Sequence, residues 1–220
     1  MFDTILVPTD GSDAATTAAR YGVDLAERFG ATVHALSVVD PDRLVTDSVG
    51  DVDDLVRRQQ ARLEERARDA VDRVAAMATG PVETHVVEGR PASVLSAAID
   101  DYDVDLVAMG THGRSGVDRY LLGSLAERTV RTAGVPVLAV REDGRGGAIE
   151  DVLIATDGSE SAERAAEGAV AVADATGARL HALTVGTDLG PAERVVDRAG
   201  EAGLDATAVV RPGPPHEAIR

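Results

Sequence analysis

The sequence predicts an α/β fold: a doubly wound five-stranded parallel sheet with helices on both faces, followed by an incomplete second copy. Two observations support this prediction. Short apolar runs alternate with longer segments of helical periodicity, and two stretches of the sequence recur at one fixed spacing. Alternating strands and helices favour a parallel sheet, because each parallel connection crosses over through a helix. The right-handed crossover rule leaves few topologies for such a chain.

The strands of the first unit are predicted from short runs of apolar and β-branched residues. The opening run, TILVP, is of the length and composition of a buried strand. Four further runs follow it along the chain, each bounded by turn or helix signals. The five predicted strands span residues 4–8, 32–39, 82–87, 104–109 and 136–141.

Four helices are predicted between these strands. The first covers 13–29 and ends at Gly30, a residue suited to a left-handed C-cap. The second is long and charged and covers 51–78, and Pro91 opens a third that runs to about residue 101. The fourth covers 122–133. The second helix carries an apolar stripe formed by Leu55, Leu63, Ala67, Val71 and Val74.

An internal repeat divides the chain. Residues 5–12 (ILVPTDGS) return as 152–159 (VLIATDGS), and residues 30–38 (GATVHALSV) return as 177–185 (GARLHALTV). Both pairs have the same offset of 147 residues, so the chain contains one unit and the start of a second.

The second unit is predicted to be partial. GRPASVL at 89–95 is weakly similar to GPPHEAI at 213–219, with an offset of 124 residues. About 23 residues are therefore missing from the middle of the second unit. Nothing corresponds to residues 104–141 of the first unit. The predicted domains are residues 1–141 as a complete unit, a Gly-rich linker over 142–149, and a partial repeat over 150–220.

Composition excludes several classes of function. Acidic residues outnumber basic ones 38 to 22, and a net charge of −16 argues against a general nucleic-acid binder. No apolar run approaches the roughly 20 residues of a membrane helix, and the lack of Cys excludes disulfides and thiol chemistry. We expect a soluble cytoplasmic protein with no membrane association. All 22 basic residues are Arg, which together with the acidic surface indicates a halophilic source.

A glycine pattern after the fourth strand predicts a phosphate site. Gly110, Gly113, Gly123 and Ser124 follow the spacing G-x2-G-x9-G-S, and Gly123 and Ser124 open a helix whose first amide N–H groups lack internal partners. Residues 110–131 contain four Arg and only two acidic residues, so this stretch is basic in an acidic chain. The pattern is neither a Walker loop nor G-x-G-x-x-G. The alternative is a Gly-rich surface turn followed by an ordinary helix cap.

With these motifs the sequence resembles the ATP-binding branch of the universal stress protein family. The resemblance rests on the ILVPTDGS opening, the VDLVAMGTHGRSG segment and the glycine spacing, and it covers the first unit and the front half of the second. It implies a sheet of order 3-2-1-4-5, with ATP held at the carboxyl ends of strands 1 and 4 and accompanied by Mg²⁺.

The resemblance also implies a set of nucleotide contacts. One group would border adenine and ribose, with Asp10 accepting a ribose hydroxyl and the Val38 backbone bonding adenine. A second group would line the ribose and phosphate track, and a third would hold the phosphates. The three groups are Pro8, Thr9, Asp10 and Val38; Met109, Gly110, His112, Gly113 and Arg114; and Gly123, Ser124 and Leu125.

Several of these residues have alternative interpretations. Asp10 returns as Asp157, and Thr-Asp-Gly-Ser is a good turn and N-cap sequence without any ligand. His34 returns as His181 within strands, and we interpret both as structural. Arg114 is equally suited to a phosphate and to a surface carboxylate.

The leading functional hypothesis is an ATP-binding stress-response regulator and not an enzyme, because no catalytic set of residues is evident. The second unit lacks a phosphate loop, so we expect it not to hold ATP alone. The free strand 136–141 predicts a homodimer. The alternatives are a nucleotide-free dimerisation or chaperone-like module, and a weak ATP hydrolase or adenylating enzyme.

Overall fold

The computed structural model describes residues 2–43, 52–111, 123–141 and 149–218. The chain divides into two compact units, Met1–Gly146 and Gly147–Arg220. The division falls within the stretch predicted as a linker, of which residues 142–148 lie outside the described residues. No helix in the described part of the chain is both long and apolar enough to cross a bilayer.

The first unit is a five-stranded, all-parallel sheet of order β3-β2-β1-β4-β5, which confirms the predicted fold. A single turn of 3₁₀ helix at Pro41–Arg43 follows β2 and was not expected from the sequence. The elements are β1 (Thr4–Pro8), α1 (Asp13–Phe29), β2 (Thr32–Val39), α2 (Val52–Ala75), β3 (Val82–Glu88), α3 (Pro91–Asp101), β4 (Leu106–Gly110), α4 (Ser124–Thr132) and β5 (Val137–Val140).

Two strand starts differ from the prediction for identifiable reasons. β4 begins two residues later than expected, because the Val104 N–H donates to the Ile99 carbonyl at 3.0 Å and so closes the end of α3. β5 begins after Pro136, which has no N–H to donate but whose carbonyl accepts from Val107 at 3.0 Å.

The sheet core lies between its two helical layers. Ile5, Leu6 and Val7 of β1 are fully buried, as expected for the central strand of a parallel sheet covered on both faces. Leu6 packs with Leu36 and Val107 on the face that α3 and α4 cover. The carboxyl ends of β1 and β4 therefore meet at the centre of the sheet, where the direction of winding reverses.

The second unit repeats the first half of this fold as a parallel sheet of order β6-β7-β8. The predicted loss of residues falls between β7 and β8, where the intervening helix has 12 residues against 24 in α2. Leu153, the counterpart of Leu6, is 51% exposed. The elements are β6 (Asp151–Ala155), α5 (Glu160–Thr176), β7 (Arg179–Val185), α6 (Gly190–Glu201), β8 (Ala206–Arg211) and the short α7 (Pro215–Ala218).

Candidate functional site

A cavity of about 380 Å³ lies in the first unit, bordered by the ends of β1, β2 and β4 and by residues of α2 and the start of α4. The structure brings nine of the residues predicted from the resemblance to this one cavity. His112, Gly113 and Arg114, which were predicted for the ribose and phosphate track, lie outside the described residues. The nine are Pro8, Thr9, Asp10, Val38, Met109, Gly110, Gly123, Ser124 and Leu125.

The turn after β1 is held by its own side chains. The Thr9 N–H donates to the Leu36 carbonyl at 2.8 Å, and the Gly11 N–H donates to Thr9 Oγ1 at 3.2 Å. The Ser12 N–H donates to Asp10 Oδ1 at 3.0 Å, which makes an Asx turn. Ser12 Oγ then accepts from the Ala15 N–H at 3.3 Å and caps α1.

The second unit builds the same turn without a glycine loop after a fourth strand. The Gly158 N–H donates to Thr156 Oγ1 at 3.1 Å, and the Ser159 N–H donates to Asp157 Oδ1 at 2.9 Å. The Ser159 backbone N–H lowers the pKa of Asp157 because it favours the ionised carboxylate. The Thr-Asp-Gly-Ser sequence thus has a structural role in both units, and its presence alone does not indicate a ligand.

Gly110 has a packing role that the sequence interpretation missed. A Cβ atom at this position would lie 2.8 Å from the Ala14 backbone carbon and 2.9 Å from the Ala15 backbone nitrogen. Both are main-chain atoms of α1, which cannot move aside as a flexible side chain can. Gly110 is therefore required for the close approach of α1 to the end of β4, whether or not a ligand is bound.

The start of α4 differs from the start of α1. Its N-cap residue, Gly123, offers no side-chain hydrogen bond, and its own N–H donates to the Thr111 carbonyl at 2.7 Å. The first intrahelical bond runs from the Glu127 N–H to the Gly123 carbonyl at 2.8 Å. By helix geometry, the intervening N–H groups of residues 124–126 have no acceptor within the helix, and these residues line the cavity.

The α2 wall of the cavity was not predicted. Leu63 and Ala67 were assigned to an apolar core stripe, yet both line the cavity, and the exposed Arg66 lies between them in sequence. No signal in the sequence singles out Arg66, because Arg62 and Arg73 also stand directly before stripe residues. Helical periodicity cannot separate a stripe that packs on the sheet from one that extends past it.

The chemistry of the cavity suits a small ligand with an apolar part and an anionic part. Val38, Leu63 and Met109 supply apolar surface, and the first turn of α4, which has no side-chain cap from Gly123, supplies N–H donors. Arg66 is the only basic residue among the described residues that line it, and Asp10 and Asp40 are the acidic ones.

The fold and the cavity together define a doubly wound α/β domain with a ligand crevice at the switch point of its sheet. Comparison with known proteins then gives the family. The model of the universal stress protein family matches residues 1–141 and 148–211, so the chain belongs to that family.

Individual relatives agree with this assignment. The universal stress protein MJ0531 of Methanocaldococcus jannaschii is 34% identical over 145 residues, covering 64% of this chain and 84% of the relative. The crystal structure of a universal stress protein from Archaeoglobus fulgidus covers 98% of this chain and 80% of its own, with 26% identity and a TM-score of 0.74. The UspA protein of Lactobacillus plantarum covers 64% of this chain and 98% of its own, with 27% identity and a TM-score of 0.55.

Proposed function

We propose that the first unit is an ATP-binding regulatory domain of a stress-response protein, with the nucleotide in the cavity at the ends of β1 and β4. The observation that carries this proposal is the start of α4, which has no side-chain cap from Gly123 and whose first residues line the same cavity as the turn after β1. A helix start of this kind is an anion-binding site, because its N–H groups and its dipole both favour negative charge.

The adenine end is proposed on the backbone of β2 beyond the end of β1. The last residue pair between β1 and β2 is Pro8 with Leu36, and β2 continues to Val39. The backbone at Ser37–Val39 thus borders the cavity beyond the end of β1, where its polar groups can bond a planar base. Leu63 and Ala67 of α2 provide apolar surface against which a base can pack.

The phosphate end is proposed at Ser124 and Leu125, with Arg66 as a nearby cation. We propose that Mg²⁺ accompanies the phosphates, since this ion is usually bound by one or two carboxylates together with substrate phosphates. Asp10, for which a contact to a ribose hydroxyl is proposed, and Asp40 are the carboxylates that line the cavity in the described part of the chain. Mg²⁺ would neutralise phosphate charge that these carboxylates would otherwise repel.

A regulatory role is favoured over catalysis because the polar groups of the turn already have structural partners. Ser12, the one hydroxyl of the turn placed to open a helix, caps α1. Nucleotide occupancy would then act by biasing a conformation or the choice of a partner. We also retain the proposals of a cytoplasmic location and of a halophilic source, which rest on composition.

A homodimer is proposed through strand β5. This strand is at the edge of the sheet and pairs with β4 alone, and Val137, Leu138 and Ala139 are only half-buried. An exposed apolar edge strand favours pairing with another chain. Sedimentation equilibrium of the wild type and of Leu138→Lys would test this, and a monomeric wild type would overturn it.

The test of the proposed function is a calorimetric titration of ATP with Mg²⁺ in molar KCl. We expect one site per chain, because the second unit has no counterpart of α4 in the described residues. No heat from a folded chain would favour the nucleotide-free module. Phosphate release, or AMP with pyrophosphate, would instead show a hydrolase or an adenylating enzyme.

A further inference from the structure

A second cluster of polar side chains lies on strands β2 and β3, away from the residues that line the cavity. It comprises His34, Glu83 and His85, whose ligand-type atoms all lie within 4.8 Å of one another. His34 Nδ1 and His85 Nε2 are 3.1 Å apart. None of the three residues lines the cavity described above.

The strand register brings these groups together. His34 pairs directly with Glu83, and Leu36 pairs with His85, so Glu83 lies beside His34 and His85 lies diagonally from it on the same face of the sheet. Residues two apart in a strand point to the same face. Three potential ligands are therefore presented by two adjacent strands, which are rigid supports for a metal site.

The spacing of the two imidazoles fits a shared metal ion. When two nitrogens bind the same tetrahedral zinc ion at the usual Zn–N bond length, they lie about 3.3 Å apart. The observed separation of 3.1 Å is close to that value. Without a proton between them, the two facing lone pairs repel, and a cation can satisfy both at once.

The surroundings fix the two rings in place. The Tyr102 ring stacks on both imidazoles, with centroid distances of 4.8 Å to His34 and 4.4 Å to His85. His34 is 8% exposed and His85 is half-buried, so both rings are held within the folded unit.

We propose that His34, Glu83 and His85 form a binding site for a divalent transition-metal ion of the zinc class, separate from the nucleotide cavity. Two imidazole nitrogens and one carboxylate oxygen make a donor set that suits Zn²⁺ and Co²⁺ better than Mg²⁺. Glu83 is exposed, so a water molecule can complete the coordination.

The second unit provides an internal control. His181 is the repeat counterpart of His34, and in β8 the residues at the Glu83 and His85 positions are Thr207 and Val209. His181 Nε2 instead lies 3.0 Å from Asp151 Oδ1. His34 thus has a glutamate and a histidine on the neighbouring strand, and its repeat counterpart His181 does not.

Titration of the full chain with Zn²⁺ tests the proposal. The protein is first treated with a chelator and exchanged into ATP-free buffer in molar KCl. We expect one zinc ion per chain from the cluster, with an affinity reduced at least tenfold in His85→Gln and in Glu83→Gln but unchanged in His181→Gln. With Co²⁺ as the probe, we expect the intense visible absorption of a four-coordinate site, absent from His85→Gln.

Each failure has a distinct meaning. No binding at micromolar Zn²⁺, or equal losses in His85→Gln and His181→Gln, would overturn the proposal and leave a hydrogen-bonded histidine pair. Glu83→Gln changes an exposed side chain, so its effect does not depend on whether the histidine variants fold.

Discussion

Replacing Ser124 by proline tests the proposed phosphate site at the start of α4. Ser124 is the first residue of this helix, a position where proline is tolerated because its missing N–H has no partner within the helix. Gly123, which precedes it, has φ −60° and ψ 151°, a conformation compatible with a following proline. The helix should therefore form in the variant, without its first N–H donor.

The expected loss follows from one hydrogen bond to a charged group. Such a bond contributes about 1.5–3 kcal/mol, which corresponds to roughly 10- to 150-fold in affinity. Ser124→Ala is the matched control, because it removes the same hydroxyl and keeps the N–H. The difference between the two variants isolates the backbone donor from the side chain.

The assay is a calorimetric titration of each folded variant with ATP and Mg²⁺, with melting temperatures measured in parallel. We expect the proline variant to bind at least tenfold more weakly than the alanine variant. Equal affinities in two variants of equal thermal stability would refute the assignment of α4 to the phosphates, even if the wild type binds ATP. Failure of the wild type to bind would instead refute the proposed function itself.

Three further predictions concern stability. Leu6→Ala should cost about 2–5 kcal/mol of unfolding free energy, measured by urea denaturation, because Leu6 is fully buried. Leu153→Ala, at the exposed repeat position, should cost less than about 0.5 kcal/mol in the same assay. Equal costs would show that Leu153 is covered in solution. Gly110→Ala should lose about 1–3 kcal/mol from crowding against α1, seen as a lower melting temperature without ATP, and an unchanged melting temperature would contradict this. Asp157 has a lowered pKa in the folded state, so its contribution to the unfolding free energy is fully present above the ordinary aspartate pKa and is lost as the pH falls through the pKa of the folded state. The difference in unfolding free energy between the wild type and Asp157→Asn should therefore vanish over that pH range. An NMR titration that finds an ordinary pKa for Asp157 would contradict this prediction.

Most of the fold could be predicted because local signals and the repeat agree. The bounds of β1, α1 and β2 match the predicted ranges 4–8, 13–29 and 32–39 to the residue. Here α1 lies between two strong caps, Ser12 at its start and Gly30 at its end, which also separate it from the flanking strands. The start of β4 depends instead on the hydrogen bond from Val104 to the end of α3, which a strand pattern does not contain.

The site could be predicted only where its residues lie in continuous motifs. The turn after β1 and the start of α4 each occupy a short stretch of sequence, and the fold brings both to one cavity. Arg66 reaches the cavity from a helix whose path over the sheet no local pattern specifies. The contact between His34 and His85 depends on the register of β2 against β3, and a shift of one residue would turn one side chain to the opposite face.

Gly110 shows that a residue of a predicted binding motif can also have a packing role that the motif does not reveal. The glycine spacing placed it at the end of a strand beside the crevice, and it does line the cavity. Its missing Cβ is needed by the α1 backbone, whether or not a ligand is bound. Among the described residues of the motif, the part that separates phosphate binding from packing is therefore the start of α4, where Gly123 provides no side-chain cap. Variants at residues 123–125 distinguish nucleotide binding from folding, and variants at Gly110 do not.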